Sequence, residues 1–347
     1  MNKILPSVSL FGALEKLNAL SGGIMTLLVV DGDGRLVGTL TDGDVRRALL
    51  RGVSMQSRVS DVMRRDFRAL SYEEPDNEAY MQMRRQGLRL IPLIDRNGRL
   101  KGTVDSSRIR AMLPIRAMLM AGGRGERLRP LTLTVPKPLL KVGGKPIIDR
   151  NIAILASYGI TDVTVSVNYL AEQLEEHFST PCEGIDVATV RESFAMGTIG
   201  SASLLPQADP EGCTLVMNSD LLTSIRLDEM YDLHHRSGAD VTIAVTPYNV
   251  SVPYAIVDED EDGKVVGLSE KPSFSYNANA GIYIFSNRLL ASLPKDSATD
   301  APDLIQQAIA DGGTVVTFPI DGTWLDIGSP TEYARACELM SRQDCFD

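Results

Sequence analysis

Short apolar runs alternate with longer amphipathic stretches along the chain from Ile115 onward. The runs predict strands, which cover residues 115–121, 163–168, 186–190, 214–218, 241–245 and 314–320. The spacing of apolar positions between them predicts helices over residues 146–158, 170–178 and 227–237. Strands that alternate with helices in this way indicate an α/β fold with a mostly parallel sheet. Ligands of such sheets bind beyond the carboxyl ends of the strands, so the residues that follow each strand are candidates for a site.

The first 113 residues carry a different pattern, which repeats after 64 positions. Residues 28–49 align with residues 92–113, and the coinciding positions include Asp31/Asp95, Gly34/Gly98, Arg35/Arg99, Leu36/Leu100, Gly38/Gly102, Thr39/Thr103 and Arg46/Arg110. Each copy predicts a strand, a tight turn that contains glycine, a second strand and a helix. A further helix is predicted upstream of each copy, over residues 10–20 and 77–86. One such unit cannot cover both faces of its short sheet, so we expect the two copies to pack as a pseudo-twofold pair.

The composition is that of an ordinary globular protein, with 44% hydrophobic and 23% charged residues in 347. The formal charge is −10, which disfavours non-specific nucleic-acid binding, because that needs a surplus of lysine and arginine. No CxxC pair occurs among the four cysteines, Cys182, Cys213, Cys337 and Cys345, so reduced thiols are expected. The sequence shows neither a secretory signal nor an apolar stretch long enough to span a membrane. We expect a cytoplasmic protein, with homo-oligomerisation left open.

The strongest chemical motif follows the strand predicted at residues 115–121. Glycines dominate the loop, whose backbone amides can approach a polyphosphate; its residues are Ala121, Gly122, Gly123, Arg124 and Gly125. Arg124, Arg127, Arg129 and Lys137 place four cations within a short stretch of an acidic chain, as the binding of a triphosphate requires. A Walker A loop is excluded, because no Gly-Lys-Ser or Gly-Lys-Thr follows at the required spacing.

This loop, together with the Pro-Lys-Pro at residues 136–138, resembles the signature of the sugar-nucleotide pyrophosphorylase family. The likeness extends over about residues 116–340 and implies a Rossmann-like, mostly parallel nucleotidyltransferase domain at residues 115–347. In that family the position of Arg127 binds the leaving phosphates and that of Lys137 contacts the reacting phosphates. Asp220 and Asp326 stand where the family holds Mg²⁺, which needs only a few carboxylates beside water and substrate phosphates.

The same resemblance suggests residues for the sugar and for the base. Glu270 and Asn279 would hydrogen-bond sugar hydroxyls, while Lys271 would neutralise the sugar phosphate. Glu192, Gly197 and Thr198 would bracket the base beside the glycine-rich loop, although Met196 and Ile199 depart from the family pattern. A carboxylate at Glu192 can accept from two donors of guanine but from only one of uracil or thymine, which favours GTP.

The N-terminal repeat resembles a tandem of cystathionine-β-synthase (CBS) domains, an α+β module at residues 1–114 with copies at about 5–55 and 62–113. The resemblance implies that Thr41 and Asp44 hold the phosphates and ribose of a regulatory adenine or guanine nucleotide. The second copy departs from this pattern, because Asp105 and Arg108 stand at the positions equivalent to Thr41 and Asp44. We therefore expect at most one intact ligand site, or a pair that serves only to build the fold or a dimer.

Together these patterns predict an enzyme that transfers a nucleotidyl group from an NTP to a sugar 1-phosphate and releases pyrophosphate, with Mg²⁺ as cofactor. The nearest resemblance within the family is to CBS-bearing guanylyltransferases that activate glucosamine 1-phosphate for nonulosonic acid, a cell-surface glycan component. Ala255 stands where those relatives usually have glycine, so the acceptor stays open. The alternatives are another donor (UTP, dTTP or CTP), another phosphorylated acceptor, or a catalytically silent nucleotide sensor. His177, His234 and His235 are expected on helix surfaces.

Overall fold

A computed structural model describes residues 2–295 and 297–341, and the chain forms two compact units. One unit consists of the chain up to Pro114 together with Ser157–Gly159, and the other consists of the remaining described residues from Ile115 onward. No helix within the described ranges is long and apolar enough to cross a bilayer. Cys345 lies outside these ranges.

The N-terminal unit contains two copies of one topology. Its elements are β1 (Lys3–Ile4), α1 (Leu10–Ala19), β2 (Thr26–Val30), β3 (Leu36–Thr41), α2 (Asp42–Leu50), β4 (Leu70–Ser71), α3 (Asn77–Arg85), β5 (Leu90–Ile94) and β6 (Leu100–Asp105). They form two three-stranded sheets, ordered β1-β2-β3 and β4-β5-β6. In each sheet the first pair of strands is parallel and the second pair is an antiparallel hairpin, as the repeat predicts.

The two copies contact each other through the repeated turns. The amide of Leu36 donates to the carbonyl of Gly98, and the amide of Leu100 donates to that of Gly34, both at 3.0 Å. A shift of 64 positions converts one bond into the other, so the same contact is made twice about a pseudo-twofold axis. Apolar side chains from both copies also share one core cluster, made of Leu28, Val30, Leu36 and Leu100.

The prediction of a helix at the end of the second copy is wrong. Residues 106–113 form a turn and irregular chain, whereas α2 follows the first copy. The reason lies in the capping residues. Thr41 and Asp44 satisfy each other's backbone amides as a capping box, but Asp105 instead accepts from the amide and hydroxyl of Ser107. Arg108, at the position of Asp44, has no acceptor with which to close such a box.

The C-terminal unit alternates strands and helices around a large sheet. Its elements are β7 (Arg116–Met120), β8 (Lys141–Val142), β9 (Lys145–Pro146), α4 (Ile147–Ser157), β10 (Val163–Val167), α5 (Ala171–His177), β11 (Ala188–Arg191), β12 (Cys213–Asn218), β13 (Leu221–Thr223), α6 (Leu227–Ser237), β14 (Val241–Ser251), β15 (Ile256–Glu259), β16 (Val265–Ser269), β17 (Ser273–Ser286), α7 (Asn287–Leu290), α8 (Ala301–Ala310), β18 (Val315–Pro319), β19 (Trp324–Asp326) and α9 (Pro330–Ser341).

The large sheet has seven strands in the order β11-β10-β7-β12-β17-β14-β18. Only β17 runs antiparallel to its neighbours, so the mostly parallel fold predicted from the sequence is confirmed. Since β11, β10, β7 and β12 share one direction, the residues that follow them meet at one edge of the sheet. This edge carries the glycine-rich loop, Glu192 and Asp220.

The expectation that all three histidines lie at the surface is wrong for His234. Its ring is buried on α6 and hydrogen-bonds the hydroxyl of Thr242 at 2.9 Å. Burial lowers the pKa of His234 to about 4, so the imidazole is neutral at physiological pH. It completes the packing of α6 on β14.

Candidate active site

The glycine-rich loop is held by the segment that follows it. Gly125 has φ +59°, in the left-handed region, and precedes a 3₁₀ turn at Glu126–Leu128. The buried hydroxyl of Thr132 donates to the Gly125 carbonyl at 2.7 Å, and a Cβ on Gly125 would lie 3.1 Å from that of Lys137. The loop and Lys137 are therefore fixed relative to each other.

Lys137 lies between the two predicted metal ligands. Its Nζ donates a hydrogen bond to Oδ2 of Asp220 and lies 3.7 Å from Oδ1 of Asp326. The lysine side chain is only 12% exposed, so this pairing takes place largely out of water. Three residues that are far apart in the sequence thus form one charged cluster.

Two short strands bring the aspartates together. Asp220 lies two residues after the end of β12 and immediately before β13, while Asp326 ends β19. In the antiparallel β13–β19 ladder Leu221 pairs with Asp326, and the Ile327 amide donates to the Asp220 carbonyl at 3.1 Å. The ladder therefore sets the separation of the two carboxylates through backbone hydrogen bonds.

The electrostatics of the cluster suit a cation. Burial raises the pKa of Asp326, the charge of Asp220 raises it further, and Lys137 and Arg127 act in the opposite direction. Oδ1 of Asp220 and Oδ1 of Asp326 are buried and have no hydrogen-bond partner among the described residues. Buried carboxylate oxygens that accept no hydrogen bond and converge beside Lys137 fit a hard divalent cation, which binds such oxygens directly.

Arg127 lies on the same side of the site as Asp326. A Cβ built on Gly328 would lie 2.8 Å from a guanidinium nitrogen of Arg127 and 3.2 Å from Oδ2 of Asp326. Gly328 therefore leaves the space in which the guanidinium packs. Arg124 is exposed, and within the described ranges it makes no ion pair or hydrogen bond. Both arginines can turn towards an incoming anion.

Glu192 is buried against the glycine-rich loop. A Cβ on Gly122 would lie 2.9 Å from a Glu192 carboxylate oxygen, so only glycine allows this approach. Oε2 of Glu192 accepts from the amide of Met196 at 3.3 Å and from the side chain of Asn168 at 3.5 Å. The carboxylate links the ends of β10 and β11 to the loop after β7.

Gly197 and Thr198 have structural partners of their own. Gly197 has φ +78° and packs on the backbone of Thr299. The Thr198 hydroxyl donates to Asp300 at 3.1 Å and accepts from the amide of Ala301 at 2.9 Å, which fixes the start of α8. The structure thus places both residues at a loop contact, with the hydroxyl of Thr198 already engaged.

The predicted sugar-binding residues lie on the antiparallel part of the unit. Glu270 and Lys271 are exposed in the turn between β16 and β17, and Lys271 has φ +45°. No hydrogen bond or ion pair connects them to other residues in the described part of the chain. Asn279 lies within β17, where its Oδ1 accepts from the amide of Gly281 at 3.0 Å. Gly281 in turn packs against Asn218, next to the loop of Asp220.

Sequence reasoning missed the residues that support this site. The side-chain amide of buried Asn151 donates to the Ser219 carbonyl at 3.0 Å. The Ser219 hydroxyl donates in turn to the Met120 carbonyl at 2.6 Å. Asn151 and Ser219 thereby hold the loop that carries Asp220. A polar residue inside the apolar stripe of α4 was the available signal for Asn151.

In the N-terminal unit the predicted nucleotide residues are engaged with each other. Oδ2 of Asp44 accepts from the amide and hydroxyl of Thr41, at 3.0 and 2.6 Å, and Oδ1 accepts from Arg47 at 2.6 Å. Thr41 also lines a cavity of about 650 Å³ between the two copies. Three arginines line the same cavity, Arg64, Arg68 and Arg89.

Comparison with protein families gives two matches. The family described as Nucleotidyl transferase matches residues 116–343, and the family described as CBS domain matches residues 3–51 and 59–114. The first match spans every residue of the charged cluster. The second covers both copies of the N-terminal repeat, which are thus CBS domains.

Curated relatives include guanylyltransferases from animals. The catalytic subunit beta of mannose-1-phosphate guanylyltransferase from Drosophila pseudoobscura pseudoobscura is 33% identical over 225 residues, which is 63% of this chain and 60% of the relative. The corresponding subunit from Danio rerio is 33% identical over 226 residues, 63% and 62% of the two chains. The chain therefore spans about three fifths of the length of these relatives.

Solved structures share the fold. HddC from Yersinia pseudotuberculosis superposes with a TM-score of 0.52 at 23% identity, over 65% of this chain and 99% of HddC. HddC complexed with GMP-PN gives the same TM-score and coverage at 22% identity. These similarities establish the architecture of the C-terminal unit.

Proposed function

The chain belongs to the nucleotidyl transferase family, and from this premise we propose that it transfers a nucleotidyl group, GMP by preference, from an NTP to a sugar 1-phosphate. The observation that carries the proposal is the cluster of Lys137, Asp220 and Asp326 beside the glycine-rich loop. It combines a cation for phosphates with free carboxylate oxygens for a metal, at the edge where α/β sheets bind ligands.

In the proposed reaction an oxygen of the sugar phosphate attacks the α-phosphorus of the NTP. A new P–O bond forms while the bond to the bridging α–β oxygen breaks, and pyrophosphate leaves with those electrons. The attacking oxygen is already ionised, so no general base is required. Catalysis then consists of positioning and charge stabilisation, the usual means of enzymatic phosphoryl transfer.

Each charged residue has a role in this scheme. Lys137 would exchange its contact with Asp220 for a contact with the reacting phosphates. Arg127, which is exposed on the Asp326 side, would bind the β- and γ-phosphates and stabilise the leaving pyrophosphate. The backbone amides of residues 121–125 would approach the triphosphate closely, because Gly123 has open space around its Cα.

Asp220 and Asp326 would hold the divalent metal that this family generally uses, which we propose to be Mg²⁺. When bound, Mg²⁺ would neutralise phosphate charge as the transferred group changes partners. The oxygen-only donor pair supports Mg²⁺ over a softer metal.

GTP is the proposed donor. Support comes from the guanylyltransferase relatives, from the HddC complex with GMP-PN and from the buried carboxylate of Glu192. Since Oε2 of Glu192 holds the Met196 amide, the base would be bound mainly through the other oxygen and the loop backbone. Mannose 1-phosphate is the first acceptor to test, on the strength of the relatives, with glucosamine 1-phosphate next. Glu270, Lys271 and Asn279 are the proposed acceptor residues.

We also propose that the CBS unit binds a purine nucleotide. The cavity between the copies has the size of a nucleotide site, and its three arginines suit phosphates. A location in the cytoplasm, where NTPs are abundant, fits the free thiols of Cys182, Cys213 and Cys337. The product would supply a glycan pathway.

The experiment that tests the transferase proposal is a matrix of donors and acceptors. GTP, UTP, dTTP and CTP are each incubated with mannose, glucosamine, glucose and heptose 1-phosphates and Mg²⁺, and pyrophosphate release is measured. We expect release with GTP and one of these sugars. If pyrophosphate is released only with a nucleotide other than GTP, the proposed donor is wrong. If no donor and acceptor pair releases pyrophosphate, the proposal of transferase activity is wrong.

A further inference from the structure

A second cluster of ligating side chains lies in the C-terminal unit and has no part in the proposed reaction. Asp149 lies on α4, His177 ends α5, and Cys182 lies in the following loop. One ligand atom of each, an oxygen, a nitrogen and a sulfur, lies within 4.8 Å of the other two. Nε2 of His177 is 2.7 Å from Oδ1 of Asp149. Three different elements of structure thus direct three donor atoms to one place.

The backbone around Cys182 is shaped to hold its thiol there. Cys182 and Ile185 exchange two backbone hydrogen bonds of 2.9 Å, which close a tight two-residue hairpin. Its central residues, Glu183 and Gly184, have φ of +52° and +80°. A glutamate is costly in this conformation, where asparagine or glycine is usual. The ion pair between Glu183 and Lys145, at 2.6 Å, helps to hold it.

The ring of His177 is fixed as well. Phe178 contacts it edge-on, with the two ring centroids 4.9 Å apart. The side chains of Asp149 and His177 are 15% and 28% exposed, while Cys182 is buried. The cluster is therefore packed against protein on its inner side and partly open to solvent on its outer side, which leaves access for an ion and a water molecule.

Neither a nucleophilic cysteine nor a disulfide accounts for the cluster. Cys182 is buried beside the acidic Asp149, so its thiol lacks the accessible, electropositive surroundings of a nucleophilic cysteine. The imidazole bonds Asp149 and does not act as a base on the thiol, as a Cys-His pair would require. Cys182 also forms no disulfide with the other described cysteines.

We propose that Asp149, His177 and Cys182 form a site for a borderline-soft divalent cation, with Zn²⁺ the best fit. Zinc accepts oxygen, nitrogen and sulfur ligands together in tetrahedral geometry, and water completes three-residue sites. Because cysteine binds such cations as the thiolate, binding at this site would release protons and would be weaker at low pH. Magnesium strongly prefers oxygen ligands, so this site and the Asp220–Asp326 pair would select different metals.

Such a site would join α4, α5 and the Cys182 hairpin. The helix α4 also carries Asn151, which holds the loop of Asp220. The cation would stabilise the scaffold behind the active site without contacting substrate.

Cobalt is a suitable probe, because a thiolate bound to Co²⁺ gives a near-ultraviolet charge-transfer band that an all-oxygen site cannot give. The full-length, untagged protein is stripped with chelator, saturated with Mg²⁺ to fill oxygen sites, and titrated with Co²⁺ and then Zn²⁺. The variants are Cys182→Ser and His177→Gln. Matched controls are Cys213→Ser, at a cysteine that is equally exposed (8%), and His235→Gln, which replaces a histidine bonded to Tyr231.

We expect the wild type and both controls to show the band, saturating at one equivalent of Co²⁺ and abolished by Zn²⁺. Cys182→Ser should lose the band. His177→Gln should bind Co²⁺ about 100-fold more weakly or worse, since even indirect ligand partners contribute about 10–100-fold. Absence of the band in the wild type, or its persistence in Cys182→Ser, would overturn the proposal. If Cys182→Ser does not fold by circular dichroism, unchanged Co²⁺ affinity in His177→Gln overturns it equally. The readout is spectroscopic and does not depend on transferase activity.

Discussion

At the scale of single residues, the active-site cluster combines groups that are unfavourable for folding. Asp326 has a raised pKa, so its ionisation costs the folded state stability as the pH rises through that value. Lys137 offsets part of this cost by pairing with both aspartates. The sequence motifs identified all three residues. They could not reveal that the lysine pairs with both aspartates, because that contact depends on the β13–β19 ladder.

The role of Arg127 is tested by Arg127→Ala. The guanidinium would bind charge that develops on the leaving pyrophosphate, so kcat should fall by about 100-fold or more, in line with roughly 3 kcal/mol for such a contact. Arg288→Ala is the matched control, because Arg288 is an exposed arginine on α7 that pairs with Glu211 and lies outside the proposed site. Steady-state kinetics decide the matter. A rise in KM for the NTP at unchanged kcat would mean that Arg127 binds only the ground state.

Base choice is tested by Glu192→Gln. The substitution keeps the size of the side chain beside Gly122 but makes one acceptor oxygen a donor, so the preference for GTP over UTP should fall by about tenfold, or roughly 1.4 kcal/mol. The ratio of kcat/KM for the two nucleotides measures it. Glu176→Gln, the same substitution at an exposed glutamate of α5, serves as control. The donor hypothesis fails if the wild type prefers UTP or dTTP to GTP by tenfold.

At the scale of elements, capping explains why equivalent segments of the repeat fold differently. Residues 28–49 and 92–113 share a strand pattern, and both hairpins form as predicted. Only the first copy continues into a helix, because Thr41 and Asp44 form a capping box that the second copy lacks. The sequence contained this information, because Asp105 and Arg108 stand in the second copy where Thr41 and Asp44 stand in the first. The spacing of apolar positions alone does not show whether a helix has a cap.

Thr41→Ala should destabilise α2 by about 1 kcal/mol, the usual contribution of an N-cap side chain. Hydrogen exchange of the α2 amides measures this loss locally, with Thr103→Ala, at an exposed position of β6, as control. Equal protection of the α2 amides in both variants would contradict the cap.

The cap should also weaken at low pH. Burial raises the pKa of Asp44, but its hydrogen bonds to Thr41 and Arg47 outweigh this effect and lower the pKa below its ordinary value of 3.8. The stability that Asp44 contributes is therefore present above pH about 3.8 and is lost as the pH falls through the lower pKa of the folded state.

At the scale of the whole molecule, the sequence predicted the architecture of the large sheet well. The six strands predicted at 115–121, 163–168, 186–190, 214–218, 241–245 and 314–320 all form, and β7, β10 and β12 in the middle of the sheet are buried, as their apolar runs favour. The antiparallel β17 and the three small ladders were harder to predict. The pairings of β17 with β12 and of β13 with β19 join distant parts of the sequence, and β15 and β16 are exposed strands that gain little from burial.

Nucleotide binding by the CBS unit is tested on the full-length protein. AMP, ATP and GTP should bind, and Arg89→Ala should weaken binding by about tenfold, since a charge-assisted contact to phosphate is lost from the cavity. Calorimetry with a non-reacting triphosphate analogue at the active site isolates this binding. Arg51→Ala, an exposed arginine outside the cavity, is the control. If no nucleotide binds under these conditions, the repeat is a structural module.

The most direct test of the central claim compares GDP-sugar formation by the wild type, Asp220→Asn and Asp326→Asn, with Asp321→Asn as an exposed control. GTP, mannose 1-phosphate and the other acceptors are supplied with saturating Mg²⁺, and product is quantified by chromatography. We predict product from the wild type and the control, and turnover below about one thousandth in the two variants, although both fold by circular dichroism. Near-normal turnover in either variant would show that Asp220 and Asp326 are not the metal ligands and would contradict the account.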